Sequence, residues 1–155
     1  MTTRAQALGC LCVLVALSAF APSQKERPVA TRFKGEFDVK LIPQPSDDPS
    51  TGRMIIEKEY HGDLVGTAKG QMLTGGGEVK DSGVYVAIEK VTGTVKGRTG
   101  TFILYHTGVM TRGAQSLTVM VAPDSGTGGF VGISGTMTIT IENGKHLYEL
   151  VAEGI

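Results

Sequence analysis

Apolar and polar residues alternate one by one along most of the chain after residue 30. In the first such segment Phe33, Phe37, Val39 and Leu41 alternate with charged residues. Strict alternation is typical of a β-strand with one face exposed to water. No window long enough for a helix has apolar residues at the i, i+3, i+4 spacing. The pattern predicts eight or nine strands, over residues 33–41, 53–61, 63–73, 83–91, 94–106, 108–112, 116–122, 129–142 and 145–152.

Turn signals separate these segments. Residues 43–52, PQPSDDPSTG, contain three prolines and predict a surface loop. Asn143 and Gly144 lie between two alternating segments, and this pair favours the two positive-φ positions of a type I′ hairpin turn.

Many short strands without helices predict an all-β fold, either a sandwich or a closed barrel. Several predicted strands are apolar on both faces, as in YVAIEKV, TFILYHTGVM and SLTVMVA. In a barrel one face fills the interior, and a second copy of the chain is a natural cover for the other. We therefore expect a homo-oligomer.

Glycines recur in the segment 91–108, VTGTVKGRTGTFILYHTG, beside two cations. A phosphate-binding P-loop requires G-x-x-x-x-G-K-[ST] between a strand and a helix. Here Gly93 and Gly97 are one residue too close, Arg98 stands in place of the lysine, and a strand-like sequence follows. We interpret the glycines as architectural, because glycine permits the sharp coiling and bulges that close a barrel.

The N-terminal residues have the features of a signal peptide. One cation at Arg4 precedes an apolar segment that ends in small residues, with cleavage predicted after Ala19 or Ala21. The apolar segment is too short to span a bilayer comfortably, so we expect no stable membrane span after cleavage. Cleavage would also remove Cys10 and Cys12, which excludes disulfides from the mature chain. The predicted organisation is a signal peptide over 1–21, a linker over 22–30, and one exported barrel domain over 31–155, periplasmic or extracellular.

The charge balance argues against polyanionic partners. The chain has 15 Lys and Arg against 15 Asp and Glu, and removal of Arg4 leaves the mature chain close to neutral. Such a balance provides no electrostatic basis for binding nucleic acid or an anionic membrane.

Four segments occur in order along the chain: GRMIIEKEYHGDLVGTAKGQML, GVYVAIEKVTGTVKGRTGTFILYHTGVMTRG, PDSGTGGFVGISGTM and GKHLYEL. Through these segments, from about residue 33 to 150, the chain resembles the bacterial domain-of-unknown-function family number 3224. Members of that family resemble the allene oxide cyclase barrel, so the resemblance implies an eight-stranded antiparallel barrel. It implies little about activity, because barrel relatives include an epoxide cyclase and stereo-directing plant proteins. This chain differs from the family domain alone in that it carries a predicted export signal.

Some polar residues fall in the apolar register of their strands, and these are candidates for an interior site. The set comprises Lys58, Glu89, Arg98, His106, His146 and Tyr148, and the apolar wall is predicted to include Phe102, Leu104 and Met110. A carboxylate near a cation or imidazole in a dry cavity can act as general acid or base, which makes Glu89 and His106 the catalytic candidates. The alternative is structural: Lys58 and Glu89 form an ion pair, and Arg98 extends to solvent.

No cofactor or metal is expected. The histidines His61, His106 and His146 lie far apart in sequence without an H-x-H pair, and His61 falls in the solvent register. The chain also lacks a G-x-S-x-G motif for a nucleophilic serine.

Three hypotheses follow. In the first, the barrel binds a small apolar or amphipathic molecule in its lumen. In the second, the same cavity performs a cyclisation or isomerisation. In the third, side chains fill the interior, and the barrel has a structural or interaction role.

Overall fold

A computed structural model describes residues 29–155, and the predicted signal peptide with Cys10 and Cys12 lies outside the described residues. Within this range the chain forms strands and turns, without a helix. None of the described residues therefore forms a helix that could cross a membrane. The strands are β1 (Thr31–Gln44), β2 (Thr51–Gly62), β3 (Leu64–Gly76), β4 (Gly83–Val95), β5 (Arg98–Thr111), β6 (Ala114–Val121), β7 (Thr127–Gly128), β8 (Ser134–Glu142) and β9 (Lys145–Glu153).

Eight of these strands close into a ring. The order around it is β1-β2-β3-β4-β5-β6-β8-β9, and β9 pairs again with β1. Every neighbouring pair is antiparallel, and β7 adds only a two-residue pairing with β5. This confirms the predicted eight-stranded antiparallel barrel and excludes the sandwich.

Tight turns set several strand limits that the sequence pattern misplaced. The hairpin at Asn143 and Gly144 is confirmed, with φ angles of 51° and 80°. The prediction of one strand over 94–106 is wrong, because Lys96 and Gly97 have φ angles of 48° and 78° and form a turn between β4 and β5. Lysine is not a favoured residue at a positive-φ position, so composition did not reveal this turn.

Two other predicted limits are also wrong. The break expected between residues 106 and 108 is absent, because β5 continues through Gly108 to Thr111. The strand predicted over 129–142 begins only at Ser134, since residues 129–133 form turns.

The glycines of 91–108 have structural roles. Gly97 occupies a positive-φ turn position, and a Cβ on Gly100 would lie 2.0 Å from the carbonyl oxygen of Thr127. The backbone of β7 could not approach β5 if Gly100 carried a side chain.

Side chains fill one half of the barrel, which we call the filled half. Phe102 and Phe130 meet edge to face there, with ring centroids 5.4 Å apart. Residues 122–133, between β6 and β8, contribute Phe130 and Ile133 to this core. The other fully buried residues at this end include Phe33, Leu64, Val91, Val95, Leu104 and Leu150.

Candidate functional site

Three charged or titratable side chains meet inside the barrel, and we call them the polar layer. Lys58 on β2, Glu89 on β4 and His106 on β5 are all buried. Lys58 Nζ donates a hydrogen bond of 2.7 Å to Glu89 Oε1, and His106 Nε2 lies 2.7 Å from the same oxygen. Charged groups are rarely buried unless paired, so this carboxylate between two nitrogen groups is the main chemical feature of the interior.

Strand alternation and barrel curvature bring these residues together. Each lies in the inward register of its strand, where the neighbouring inward residues are apolar. Gly70 on β3 pairs with Glu89, and a Cβ on Gly70 would lie 2.9 Å from Glu89 Cγ. The glycine therefore leaves room for the carboxylate side chain.

Lys58 has a second partner. Its Nζ lies 4.6 Å from the centroid of the Phe37 ring, which is the distance of a cation–π contact. The ammonium group is thus held between the Glu89 carboxylate and an aromatic face.

Part of the hydrogen-bonding capacity of this region is unused. Among the described residues, no hydrogen-bond partner reaches Glu89 Oε2, His106 Nε2 or the Tyr60 hydroxyl, and all three atoms are buried. The His106 Nε2 contact with Glu89 Oε1 is short, but its N–H is not aligned with that oxygen as in a regular hydrogen bond. Buried polar atoms are normally hydrogen-bonded, and several unpartnered ones together mark a place where a polar group fits.

The surroundings shift the pKa values of two members of this region. Burial raises the pKa of Glu89, but the His106 contact and the Lys58 charge outweigh it, so the net pKa lies below 4.5. Burial raises the pKa of the Tyr60 phenol well above its ordinary value, and the Glu89 charge adds to the effect. At neutral pH Glu89 is therefore a carboxylate and Tyr60 a neutral phenol.

The lowered pKa of Glu89 predicts a loss of stability in acid. A carboxylate with a depressed native pKa stabilises the fold above its ordinary pKa of 4.5 and loses that contribution as pH falls through the native value. Urea unfolding from about pH 6 to about pH 3 should show a steeper decline for wild type than for the charge-free variant Lys58→Met/Glu89→Gln. Equal declines would show that Glu89 has the same pKa in the folded and unfolded chain.

The half of the barrel beyond the polar layer is open, and we call it the open half. A cavity of about 650 Å³, the mouth cavity, lies among the strand ends there. Its lining includes Tyr85, Gly108, Met110 and Leu117, together with residues 49–51 and 74–77. A small apolar cluster of Ile56, Met72 and Ala87 lies at the same end, separate from the main core.

Inward apolar side chains remain exposed in the open half. Leu41, Leu117 and Ile141 are 47%, 41% and 65% exposed. Each nevertheless lies in the inward register of its strand, opposite an inward residue of the neighbouring strand. The barrel wall also has a gap in hydrogen bonding here. β6 and β8 pair only at Met120 and Thr136, towards the filled half, so the two strands are unpaired in the open half. The open half therefore presents an apolar inner surface that the chain itself does not cover.

The structure separates the residues predicted for the site into two groups. Lys58, Glu89 and His106 come together, Met110 lines the mouth cavity, and His146 lies 5.1 Å from the Phe37 ring. The others lie towards the filled half or have structural partners. Arg98 is exposed, with a 3.4 Å hydrogen bond to the Gly154 carbonyl; Phe102 and Leu104 are core residues; and the Tyr148 hydroxyl accepts a hydrogen bond from the Leu64 amide.

Sequence reasoning missed several residues of this region. Tyr60 and Tyr85 were visible in the inward registers of Lys58 and Glu89, and that register was the available signal. Leu117 gave no signal, because SLTVMVA is apolar on both faces. Leu41 and Ile141 lie in inward registers, but alternation does not report depth along a barrel.

The histidines are dispersed. His61 is partly exposed and lies 3.2 Å from Asp38 on the outer surface, whereas His106 belongs to the polar layer. Residues 29–155 contain no group of three or more His, Cys, Asp or Glu side chains placed to hold a metal ion.

Comparison with known proteins gives a consistent assignment. The family model described as "Protein of unknown function (DUF3224)" matches residues 33–151. The chain is also similar to a crystal structure of a protein with unknown function from the DUF3224 family of Shewanella oneidensis MR-1. The two are 43% identical with a TM-score of 0.75, over 80% of this chain and 96% of that chain. No curated protein matches the chain. The chain therefore belongs to the DUF3224 family of proteins of unknown function.

Proposed function

We propose that the protein binds a small apolar or amphipathic molecule in the open half of its barrel. The observation that carries this proposal is the mouth cavity, which is lined by Met110 and Leu117 and lies at the same end of the barrel as the exposed inward side chains of Leu41 and Ile141. Ligand pockets usually enclose about 300 to 1,000 Å³ and combine apolar walls with a few polar groups. The mouth cavity of about 650 Å³ falls within this range.

The energetic basis is the removal of apolar wall from water. Each Å² of apolar surface that a ligand covers contributes roughly 25 cal/mol. The filled half offers no such gain, because Phe102, Phe130 and Leu150 are already fully buried. Binding is thus supported at one end of the barrel, and the other end acts as a rigid base.

A neutral fluorescent dye tests the proposal. N-phenylnaphthylamine should brighten on binding wild-type protein, and Leu117→Trp should weaken this binding about ten-fold by narrowing the mouth cavity. The matched control is Val131→Trp, a highly exposed residue outside the cavity lining, which should bind like wild type. Direct excitation of the dye avoids the introduced tryptophan.

Two results would contradict the proposal. The first is a wild-type protein that leaves the dye dark at all concentrations. The second is equal binding by wild type and Leu117→Trp, provided that thermal unfolding shows the variant to be folded.

The second candidate function is a cyclase or isomerase that uses the same cavity. It is supported by the burial of the Glu89 carboxylate beside an amine and an imidazole, the groups used in acid–base chemistry, and by the resemblance to the allene oxide cyclase barrel. A carrier releases its ligand chemically unchanged, whereas an enzyme converts it and loses turnover in His106→Ala. Mass spectrometry of a captured molecule before and after incubation separates the two.

Export and self-association remain predictions from the sequence. The apolar N-terminal segment and its small residues support removal of residues 1–21 during export. Outward residues Val84, Val86 and Ile88 on β4 are each at least half exposed, which is consistent with a face covered by a second copy. Native mass spectrometry of the exported protein reports the cleavage site, the oligomer mass and any retained ligand together.

A further inference from the structure

The strand register places the polar layer directly beneath the mouth cavity. Tyr85, Gly108 and Leu117 pair across β4, β5 and β6, and all three line the cavity. The next inward row is Ala87, His106 and Val119. Consecutive inward residues are two positions apart along a strand, so the row that lines the cavity is next to the row of His106. His106 in turn contacts Glu89.

The floor of the mouth cavity at this point is the Tyr85 ring, which packs on Gly108. A Cβ on Gly108 would lie 2.1 Å from Tyr85 Cε1, so the tyrosine ring occupies the space that a larger residue would fill. Burial raises the pKa of the Tyr85 phenol, and the Glu89 charge raises it further.

The unused polar atoms define what kind of group fits there. Lys58 is already paired with Glu89 and with the Phe37 ring. The remaining capacity of the polar layer is the acceptor Glu89 Oε2 and His106 Nε2. The Tyr60 hydroxyl, which can donate or accept, belongs to the next inward residue of β2 after Lys58, on the side of the filled half. A group that both donates and accepts matches this set.

We propose that the polar layer binds the hydroxyl group of an apolar alcohol whose hydrocarbon part occupies the mouth cavity. The hydroxyl donates to Glu89 Oε2 and accepts from the Tyr60 hydroxyl or His106, while the Tyr85 ring moves off Gly108. This inference rests on the proposed function, since it assigns the ligand class of the same cavity.

Other head groups fit less well. A carboxylate offers only acceptors and would face the ionised Glu89 carboxylate, a like-charge contact inside the barrel. A hydrocarbon without a polar end leaves Glu89 Oε2 and the Tyr60 hydroxyl unpartnered, which forfeits the gain in hydrogen bonding.

Competition against N-phenylnaphthylamine tests the assignment. Decanol and decanoate have equal chain length and differ only in the head group, so each is titrated at neutral pH into wild-type protein loaded with the dye. Decanol should displace half of the dye at a concentration at least about ten-fold lower than the concentration of decanoate that does so, as expected for a hydrogen bond to a charged acceptor. Equal or stronger displacement by decanoate would overturn the assignment. Failure of the dye itself to bind would overturn the proposed function instead.

Two variants locate the preference. Tyr60→Phe removes only the unpartnered hydroxyl, so it should keep the melting temperature and dye binding but reduce the preference for decanol. Lys58→Met/Glu89→Leu removes the carboxylate with its buried counter-ion and should reduce the preference to the part that comes from desolvation of the decanoate carboxylate. Lys145→Met/Glu36→Gln removes an exposed ion pair as the matched control and should keep it. If both interior variants prefer decanol over decanoate as strongly as wild type does, the polar layer does not bind the head group.

Discussion

Replacing Glu89 with glutamine should lower the free energy of unfolding by about 3 to 5 kcal/mol. The amide keeps the size of the side chain but removes the charge that Lys58 Nζ contacts at 2.7 Å. Lys58 would then remain buried without a counter-ion, and the cost of that uncompensated charge is the source of the effect. Urea unfolding followed by circular dichroism measures the change.

The controls separate charge from packing. The Lys145 and Glu36 pair is exposed, and Glu36→Gln should change stability by less than about 1 kcal/mol. The charge-free variant Lys58→Met/Glu89→Gln should recover most of the loss, because it leaves no unpaired ammonium in the barrel. A cost of Glu89→Gln as small as that of Glu36→Gln would show that water reaches the polar layer.

Replacing Phe102 with alanine should lower the free energy of unfolding by about 3 to 5 kcal/mol, whereas Leu117→Ala should cost less than about 1 kcal/mol. Phe102 is fully buried and packs against Phe130, so its truncation leaves a cavity in the filled half. Leu117 lines the mouth cavity and is 41% exposed, so its truncation removes little buried surface. Chemical unfolding of both variants under one set of conditions compares the two halves.

The difference between these two costs tests the division of the barrel. Comparable losses for Phe102→Ala and Leu117→Ala would mean that the open half is packed in solution, and ligand binding would lose its structural basis. Addition of N-phenylnaphthylamine should raise the stability of wild type, because a ligand that binds only the native state stabilises it.

Alternation identified the inward faces but not the depth of each residue along the barrel. Lys58, Glu89 and His106 were selected because they are charged or titratable residues in apolar registers, and the structure brings these three together. Arg98 shares the face of His106, yet β5 runs along the barrel and places Arg98 at the opposite rim. Alternation with a period of two shows on which face of the sheet a residue lies, but it does not show how far along the barrel axis the residue lies.

The all-β class was predictable because it depends on local signals: alternating segments, turns between them and the absence of helical periodicity. These signals left a sandwich and a closed barrel open, and the family resemblance was what implied the barrel. The turn at Lys96 and Gly97 was missed because tertiary pairing of β4 and β5 stabilises a lysine at positive φ. Local propensity is a weak guide wherever strand pairing on both sides already fixes the chain direction.

The amino-acid sequence alone determined the all-β class, the antiparallel strands, the hairpin at Asn143 and Gly144, and the candidates Glu89, Lys58 and His106. Only the tertiary structure decided that one half is filled and the other open. That division depends on residues 122–133, whose Phe130 and Ile133 enter one end of the barrel, and on the single pairing of β6 with β8 near that end. Both are contacts between distant parts of the chain, which a local residue pattern does not encode.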